Sequence, residues 1–225
     1  RTTQHHGRRN QTMGDLIIKP ASSGSLKIQD QAGTDKFVIN NSGVTSTLPP
    51  GMVIEEFVSP CDGSSITVQS GTYTVGTVSA VQNGTTSFAD LTGSSIDYTP
   101  PSGAQTVVYT FSYMVAHADN YGVGSIRLML DNDSGTATEV TNFRTTFGAE
   151  NYLDVRHTHM WAFHIGGSYT AATGRVATWT SARTIKLQVR EYGSSNEVKF
   201  HSTSDWEGGG TDQFSQPVIG IKALS

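Results

Sequence analysis

Apolar and polar residues alternate along most of the chain beyond residue 51, and this period of two is typical of β-strands whose faces meet different surroundings. Gly, Asn, Asp and Ser lie between the alternating stretches, where they favour turns. We therefore predict a head domain built from strands alone. The pattern indicates about nine strands, at residues 52–58, 73–81, 106–116, 123–130, 138–146, 152–165, 183–192, 197–201 and 217–224.

Two of these stretches indicate how the strands are arranged. In 183–192 an apolar set alternates with a polar one, Ile185, Leu187 and Val189 against Lys186, Gln188 and Arg190. Antiparallel strands with one dry and one wet face favour a two-sheet β-sandwich of jelly-roll type. The stretch 106–116 is apolar on one face and partly apolar on the other, which indicates that a neighbouring subunit covers it.

A short repeat precedes the head. The triplets Leu16-Ile17-Ile18, Leu26-Lys27-Ile28 and Phe37-Val38-Ile39 recur at steps of 10 and 11 residues, with Gly-bearing turns between them. Three such strands are too few to bury a core of their own, so they must pack against something else. We predict that residues 15–47 form a β stalk in which three chains turn Ile18, Ile28 and Ile39 inward.

The ends of the stalk are marked by sequence. The run TLPPG at 47–51 contains two prolines and reads as a linker, so the jelly-roll-like head is placed at residues 52–225. Residues 1–14 carry Arg1, Arg8 and Arg9 and no acid. We predict that they form an extended basic arm that anchors the chain on an acidic surface.

Composition supports the all-β class and narrows the partners. Charged residues make up 15% of the chain, which has 24 glycines and a single cysteine, Cys61, so that no intrachain disulfide can form. The chain has a net charge of −4, and because residues 1–14 carry +3, the remaining residues carry −7. An acidic body repels phosphate groups, so we predict that the protein does not bind nucleic acid. The sequence has no apolar run of about 18 residues, so we predict that the chain does not insert into a membrane.

The stretch DVRHTHMWAFH contains two histidines, His157 and His159, that share one face of a predicted strand. Both could bind one metal ion, but a catalytic zinc needs about three protein ligands, and the carboxylate that a cupin-type site would place shortly after the pair is missing. Three copies on a three-fold axis would supply six nitrogens. The alternative is that both are ordinary strand residues, with Trp161 and Phe163 providing the packing.

A second candidate site is the loop at Asp205, Trp206 and Glu207, followed by three glycines. An aromatic ring between two acids can stack on a sugar ring and bind its hydroxyl groups, which predicts a glycan site. The alternative is a loop whose Trp206 caps the edge of the sandwich. We found no motif for a nucleophile, a phosphate loop or a dinucleotide, so we predict no enzymatic activity.

The runs GSLKIQDQAGTDKFVINNSGVTS and RTIKLQVREYGSSNEVKF, together with the final PVIGIKAL, resemble the fibre and decoration proteins of tailed bacteriophages and other large DNA viruses. This resemblance implies a homotrimer on the virion surface, anchored to capsid or tail proteins by its N-terminus. Its head would face outward for adsorption, with a host-surface glycan as ligand, or for shell reinforcement. Some fibre tips hold a transition metal on the three-fold axis through such histidine pairs, which implies the same for His157 and His159.

Two other classes share parts of this pattern. A secreted carbohydrate-binding or TNF/C1q-like recognition module has the same sandwich and is often a trimer. Such a module would fold and bind its ligand without residues 1–51, whereas a virion protein would need them for attachment. A cupin-like metalloenzyme would require stoichiometric metal and a turnover that His157→Ala abolishes.

Overall fold

The computed structural model describes residues 24–29, 31–33, 35–40, 43–44, 50–117, 121–150, 154–204, 206 and 212–225. The chain divides into two compact units, Arg1–Thr47 and Leu48–Ser225. Several residues of the predicted sites lie outside the described residues, namely Arg1, Arg8, Arg9, Ile18, Asp205 and Glu207.

The first unit contains a small antiparallel sheet in the order β1 (Leu26–Gln29), β2 (Asp35–Asn40) and β3 (Gly43–Val44). Leu26 pairs with Ile39 and Lys27 pairs with Val38, so Leu26, Ile28 and Ile39 share one face. Val38 is buried on the opposite face, whereas Ile28 is 56% exposed and Ile39 is 36% exposed. Two of the positions predicted to turn inward, Ile28 and Ile39, are therefore left open to solvent in a single chain.

The second unit is all-β apart from a single 3-10 turn at Thr141–Phe143 among its described residues. Within the described residues, the structure has no apolar helix of membrane-spanning length. The strands are β4 (Val53–Pro60), β5 (Ser65–Val68), β6 (Gly71–Thr74), β7 (Gln82–Asn83), β8 (Ala89–Asp90), β9 (Ile96–Tyr98), β10 (Thr106–His117), β11 (Tyr121–Asp131), β12 (Ala137–Glu139), β13 (Thr145–Glu150), β14 (Val155–His164), β15 (Arg183–Glu191), β16 (Val198–Phe200), β17 (Ser202–Thr203), β18 (Gln213–Phe214) and β19 (Val218–Leu224).

Eight of these strands form two facing sheets. One runs β4-β19-β10-β14 and the other runs β9-β15-β11-β13, with the short strands attached at the edges. In chain order the first of the eight pairs with the last, the second with the seventh, the third with the sixth and the fourth with the fifth. This is a long antiparallel hairpin rolled up until β10 meets β19 and β11 meets β15, which is the jelly-roll topology. The predicted jelly-roll-like β-sandwich is confirmed.

Alternation along the strands creates the core between the sheets. Every second residue of β15 is buried, and Lys186, Gln188 and Arg190 lie on its outer face as predicted. The fully buried side chains of the long inner strands include Tyr109, Phe111 and Tyr113 of β10, Leu128 of β11, and Ile185 and Leu187 of β15. The sandwich is thus closed around a continuous apolar interior.

Two predicted strands are wrong in detail. The stretch 73–81 is strand only to Thr74, and beyond it Thr77 makes a single bridge to Asp62. A Cβ on Gly76 would lie 3.1 Å from the backbone of Gly93, so the segment packs closely on a neighbouring loop rather than continuing in a ladder. The stretch 138–146 is interrupted by the 3-10 turn, which carries the buried Phe143 into the core.

The two ends of the head lie side by side. The amide of Gly51 donates to the carbonyl of Ser225 at 2.6 Å, and the amide of Ser225 donates to the carbonyl of Met52 at 3.0 Å. These bonds extend the ladder between β4 and β19. The linker side and the last residue of the chain therefore meet at one corner of the sandwich.

Candidate functional site

His157 and His159 lie on the inner face of β14, on the same side as Phe163, as the alternation predicted. Their rings are parallel within 5°, with centroids 6.1 Å apart. Each ring also stacks on Tyr113 of the adjacent β10, at 6.1 Å from His157 and 5.8 Å from His159. The pair is therefore built into a layer of aromatic side chains within one chain.

Aromatic side chains that follow β12 approach the same rings from the opposite side. The ring of Phe147 lies 5.1 Å from that of His157, and the ring of Phe143 lies 5.5 Å from that of His159. Phe147 belongs to the opposite sheet, and Phe143 belongs to the 3-10 turn beside it. Both imidazoles thus point between the two layers of the sandwich.

The surroundings favour the neutral form of both histidines. Burial lowers the pKa of His159 to about 4, with a further contribution from the nearby His157, and burial also lowers the pKa of His157. Nε2 of His159 and the hydroxyl of Tyr113 share a hydrogen bond of 3.2 Å. Burial raises the pKa of Tyr113, so the phenol stays protonated.

A neutral imidazole is the form that binds a metal ion. Among the described residues, no group of three His, Cys, Asp or Glu side chains lies close enough to hold one. The metal assignment of His157 and His159 stays a prediction.

A third histidine belongs to this cluster and was missed by the sequence analysis. His201 is fully buried, has a positive φ of 60°, and places its ring 6.1 Å from Tyr113 and 6.4 Å from Phe111. We refer to Tyr113, His157, His159 and His201 as the tyrosine–histidine cluster. Its members come from three segments whose contact depends on the sheet register, so no local pattern could have shown it.

The predicted glycan loop is described only at Trp206. Its side chain is 79% exposed, so the indole does not cap the edge of the sandwich. An exposed aromatic ring of this kind is suited to stacking on a sugar. The glycan assignment of Asp205, Trp206 and Glu207 stays a prediction.

The outer face of the sheet β4-β19-β10-β14 carries a row of apolar or small residues. Direct pairing aligns Val58 with Gly220, Gly220 with Thr110, and Thr110 with Met160. Val58 is 65% exposed and Met160 is 68% exposed. We call these four residues the apolar row. Met is enriched at protein interfaces, and charged residues are depleted at their centres.

No protein-family model and no curated protein matches the chain. Two solved structures of infectious bursal disease virus, of the Gx and Gt strains, are similar to it in part. The Gx match has 8% identity and a TM-score of 0.36 over 82% of this chain and 39% of the other. The Gt match has 8% identity and a TM-score of 0.35 over 82% and 45%. The chain thus spans less than half of the chains it matches, and a likeness at this level assigns neither family nor function.

Proposed function

We propose that the protein is a non-enzymatic structural component of a virion, a trimeric fibre or capsid decoration protein. Residues of its N-terminal unit would attach it to capsid or tail proteins, and the jelly-roll head would face outward for adsorption or shell reinforcement. The observation that carries the proposal is the exposed face of the small N-terminal sheet, with Leu26, Ile28 and Ile39 on one side.

That face requires a partner on physical grounds. A sheet of three short strands buries too little apolar surface to be stable alone. Other copies of the same chain are the partner that the repeat favours, because each copy presents the same apolar positions at the same spacing. The apolar row on the head supplies a second surface of suitable character for contact between copies.

The mass of the full chain in solution tests the assembly. Light scattering should give about three times the chain mass of 24.1 kDa. Ile28→Asp should shift the protein toward the monomer, because a charge at an apolar contact loses its hydration without gaining a partner. The control is Gln31→Asp, which adds the same charge at an exposed turn position and should leave the trimer intact. A monomeric wild-type chain would remove the proposal.

Metal content on the same sample tests the histidine pair. About one transition-metal ion per three chains, lost in His157→Ala, would assign His157 and His159 to a shared three-fold site. A trimer without metal would return both to packing within the tyrosine–histidine cluster and would leave the fibre proposal in place.

The competing function is a secreted carbohydrate-binding or TNF/C1q-like recognition module, which the exposed indole of Trp206 favours. Attachment separates the two functions. The full chain should co-sediment with particles of the virus that encodes it, and a chain lacking residues 1–51 should not. Equal behaviour of the two chains, together with sugar binding by the shorter one, would favour the recognition module.

A further inference from the structure

A pocket of about 380 Å³ opens on the outer face of the second sheet of the head, away from the tyrosine–histidine cluster. It lies over β11 and β15, and between the segment that precedes β8 on one side and the segment from β12 to β13 on the other. Three arginines and an aromatic ring define its chemistry. The side chains that matter most are Phe88, Ser125, Arg127, Glu139, Arg144 and Arg190.

Strand register brings these residues together. Ser125 of β11 pairs with Arg190 of β15 on one side and with Thr146 of β13 on the other, so the three form a row across the sheet. Arg127 lies two residues farther along β11 and therefore on the same outer face. Residues from three strands thus line one space, in which Ser125 separates Arg190 from Thr146.

Phe88 orders two of the arginines. The guanidinium carbon of Arg127 lies 4.2 Å from the centre of its ring, and that of Arg190 lies 5.7 Å from it. A cation above an aromatic face is attracted by the ring quadrupole, and a planar guanidinium can bind an anion through its terminal N–H groups while it stacks. The Nε of Arg127 itself donates to Oε1 of Gln188 at 2.8 Å. Two positive groups are therefore held near each other before any ligand arrives.

The carboxylates nearby leave positive charge uncompensated. Glu139 binds Nε of Arg144 at 2.6 Å and lies 3.7 Å from Nη1 of Arg127. Asp90 is taken by Lys186 at 2.8 Å and by the side chain of Gln188 at 2.6 Å. The three arginines of the pocket face the single carboxylate of Glu139, although the chain as a whole carries −4. A local excess of this kind attracts anions.

Arg190 shows where an acceptor is missing. Its Nε is buried and has no hydrogen-bond partner among the described residues. A buried N–H without an acceptor loses its hydration and gains nothing in return, so a group that accepts from it would be favoured. Arg190 is also one of the residues that line the pocket, so a ligand there would lie beside this guanidinium.

We propose that this pocket binds an acidic saccharide, with its carboxylate or sulfate group on Arg127 and Arg190 and its hydroxyl groups on Ser125 and Thr146. Guanidinium groups bind both kinds of anion through paired, charge-assisted hydrogen bonds. The volume lies within the range of small-molecule sites, about 300–1,000 Å³, and exceeds what a lone inorganic anion fills. The proposal does not depend on a role in a virion.

Calorimetric titration of the full chain tests the proposal, with glucuronate, glucose and sulfate as three probes at low ionic strength. Glucuronate should bind at least about tenfold more tightly than glucose, because only its carboxylate forms charge-assisted bonds. It should also bind more tightly than sulfate, which lacks the hydroxyl groups of the sugar. Equal binding of glucuronate and glucose would overturn the anionic site, and sulfate that binds as well as glucuronate would overturn the saccharide.

Three variants assign the binding to the pocket. Arg190→Gln should weaken glucuronate binding by about tenfold or more, since it removes the cation that has an unfilled donor. Arg144→Gln should also weaken glucuronate binding, because it removes one of the three positive charges of the pocket. Its side chain is exposed, so the substitution carries little risk to folding. Glu139→Gln removes the competing carboxylate and should tighten binding several-fold, on the order expected for one charge near a partly exposed pair. Unchanged affinity in all three variants would remove the pocket as the site.

The matched control is Arg156→Gln. Arg156 is an exposed arginine on the outer face of the other sheet and donates to Ser215 at 3.1 Å. Its replacement makes the same change in net charge outside the pocket, so the affinity for glucuronate should stay within about twofold. A loss equal to that of Arg190→Gln would show a general charge effect and would overturn the pocket. None of these outcomes changes the mass of the assembly, so this test and the test of the trimer are independent.

Discussion

The hydroxyl of Tyr98 donates a hydrogen bond of 2.8 Å to Oε1 of Glu55, and both side chains are buried. The same carboxylate accepts from the amide of Ser70 at 2.7 Å and from its hydroxyl at 2.6 Å. Glu55 belongs to β4 in one sheet, Tyr98 belongs to β9 in the other, and Ser70 lies in the turn of the β5–β6 hairpin. One buried carboxylate therefore joins both sheets and the hairpin.

Tyr98→Phe should lower the free energy of unfolding by about 1–3 kcal/mol. The substitution keeps the ring, whose centre lies 5.0 Å from that of Tyr73, and removes only the hydroxyl that donates to Glu55. Urea unfolding followed by fluorescence measures the change. The control is Tyr192→Phe, since Tyr192 is 69% exposed and its hydroxyl can be replaced by water. Equal stability of wild type and Tyr98→Phe would show that the bond contributes nothing net.

Stability should fall in acid, and His201 should contribute to this fall together with His157 and His159, whose pKa burial also lowers. Burial lowers the pKa of the His201 imidazole from 6.5 to about 4. Between these two values the unfolded chain binds more protons than the folded one, so the free energy of unfolding decreases as the pH decreases. The contribution is complete above pH 6.5 and is lost progressively toward pH 4, with a total on the order of 3 kcal/mol at most.

The variant His201→Asn tests this assignment. Asparagine tolerates the positive φ of this position and does not titrate. Urea unfolding at about pH 7.5, 6 and 5 should give a shallower pH dependence for the variant than for the wild type, whatever the change in absolute stability. Parallel pH dependences would place the acid sensitivity elsewhere.

Arg183→Lys should destabilise the head by about 1–3 kcal/mol. The side chain of Arg183 is 9% exposed, and its guanidinium donates to the carbonyls of Asp131 and Thr178 and to the carboxylate of Asp133. A single ammonium cannot reach three acceptors set around a planar fork. Thermal unfolding measures the loss, and Arg144→Lys, at a side chain that is 66% exposed, should change stability by less than about 1 kcal/mol. Equal effects at the two positions would contradict the prediction.

Met160→Arg should weaken association of the full chain by about tenfold or more, because a charge at the β14 end of the apolar row would be buried without a partner. Analytical ultracentrifugation over a range of concentrations measures the shift. Gln69→Arg adds the same charge at an exposed turn outside the row and is the control. An unchanged association constant for Met160→Arg would show that the row does not contact another copy.

The sequence pattern was most informative where a strand has one buried and one exposed face. The alternation at 183–192 placed Ile185 inside and Arg190 outside because side chains on a strand have a fixed period of two. The same pattern predicted a strand at 73–81 that the structure does not have beyond Thr74. Val75 and Val78 are both buried there, against the loop that contains Gly93. Apolar spacing alone does not distinguish such a segment from a strand.

The candidate sites could be predicted only within a single strand. The sequence placed His157 and His159 on one face, yet it held no sign that Tyr113 and His201 would meet them. The arginine pocket was also missed, since its residues come from strands that become neighbours only when the long hairpin rolls up. Register between distant strands is set by packing over the whole sandwich, so it cannot be predicted from any short stretch of the sequence.

The hydrogen bonds that join Ser225 to Gly51 and Met52 give the head an architectural property of its own. Gly51 and Ser225 therefore lie together at one corner of the sandwich. A domain with adjacent ends can be excised as a cassette, permuted by joining those ends, or carried as an insertion in the surface loop of another protein without stretching either connection. The head is in this sense a portable unit, whose loops far from the corner can be exchanged without altering where its two ends meet.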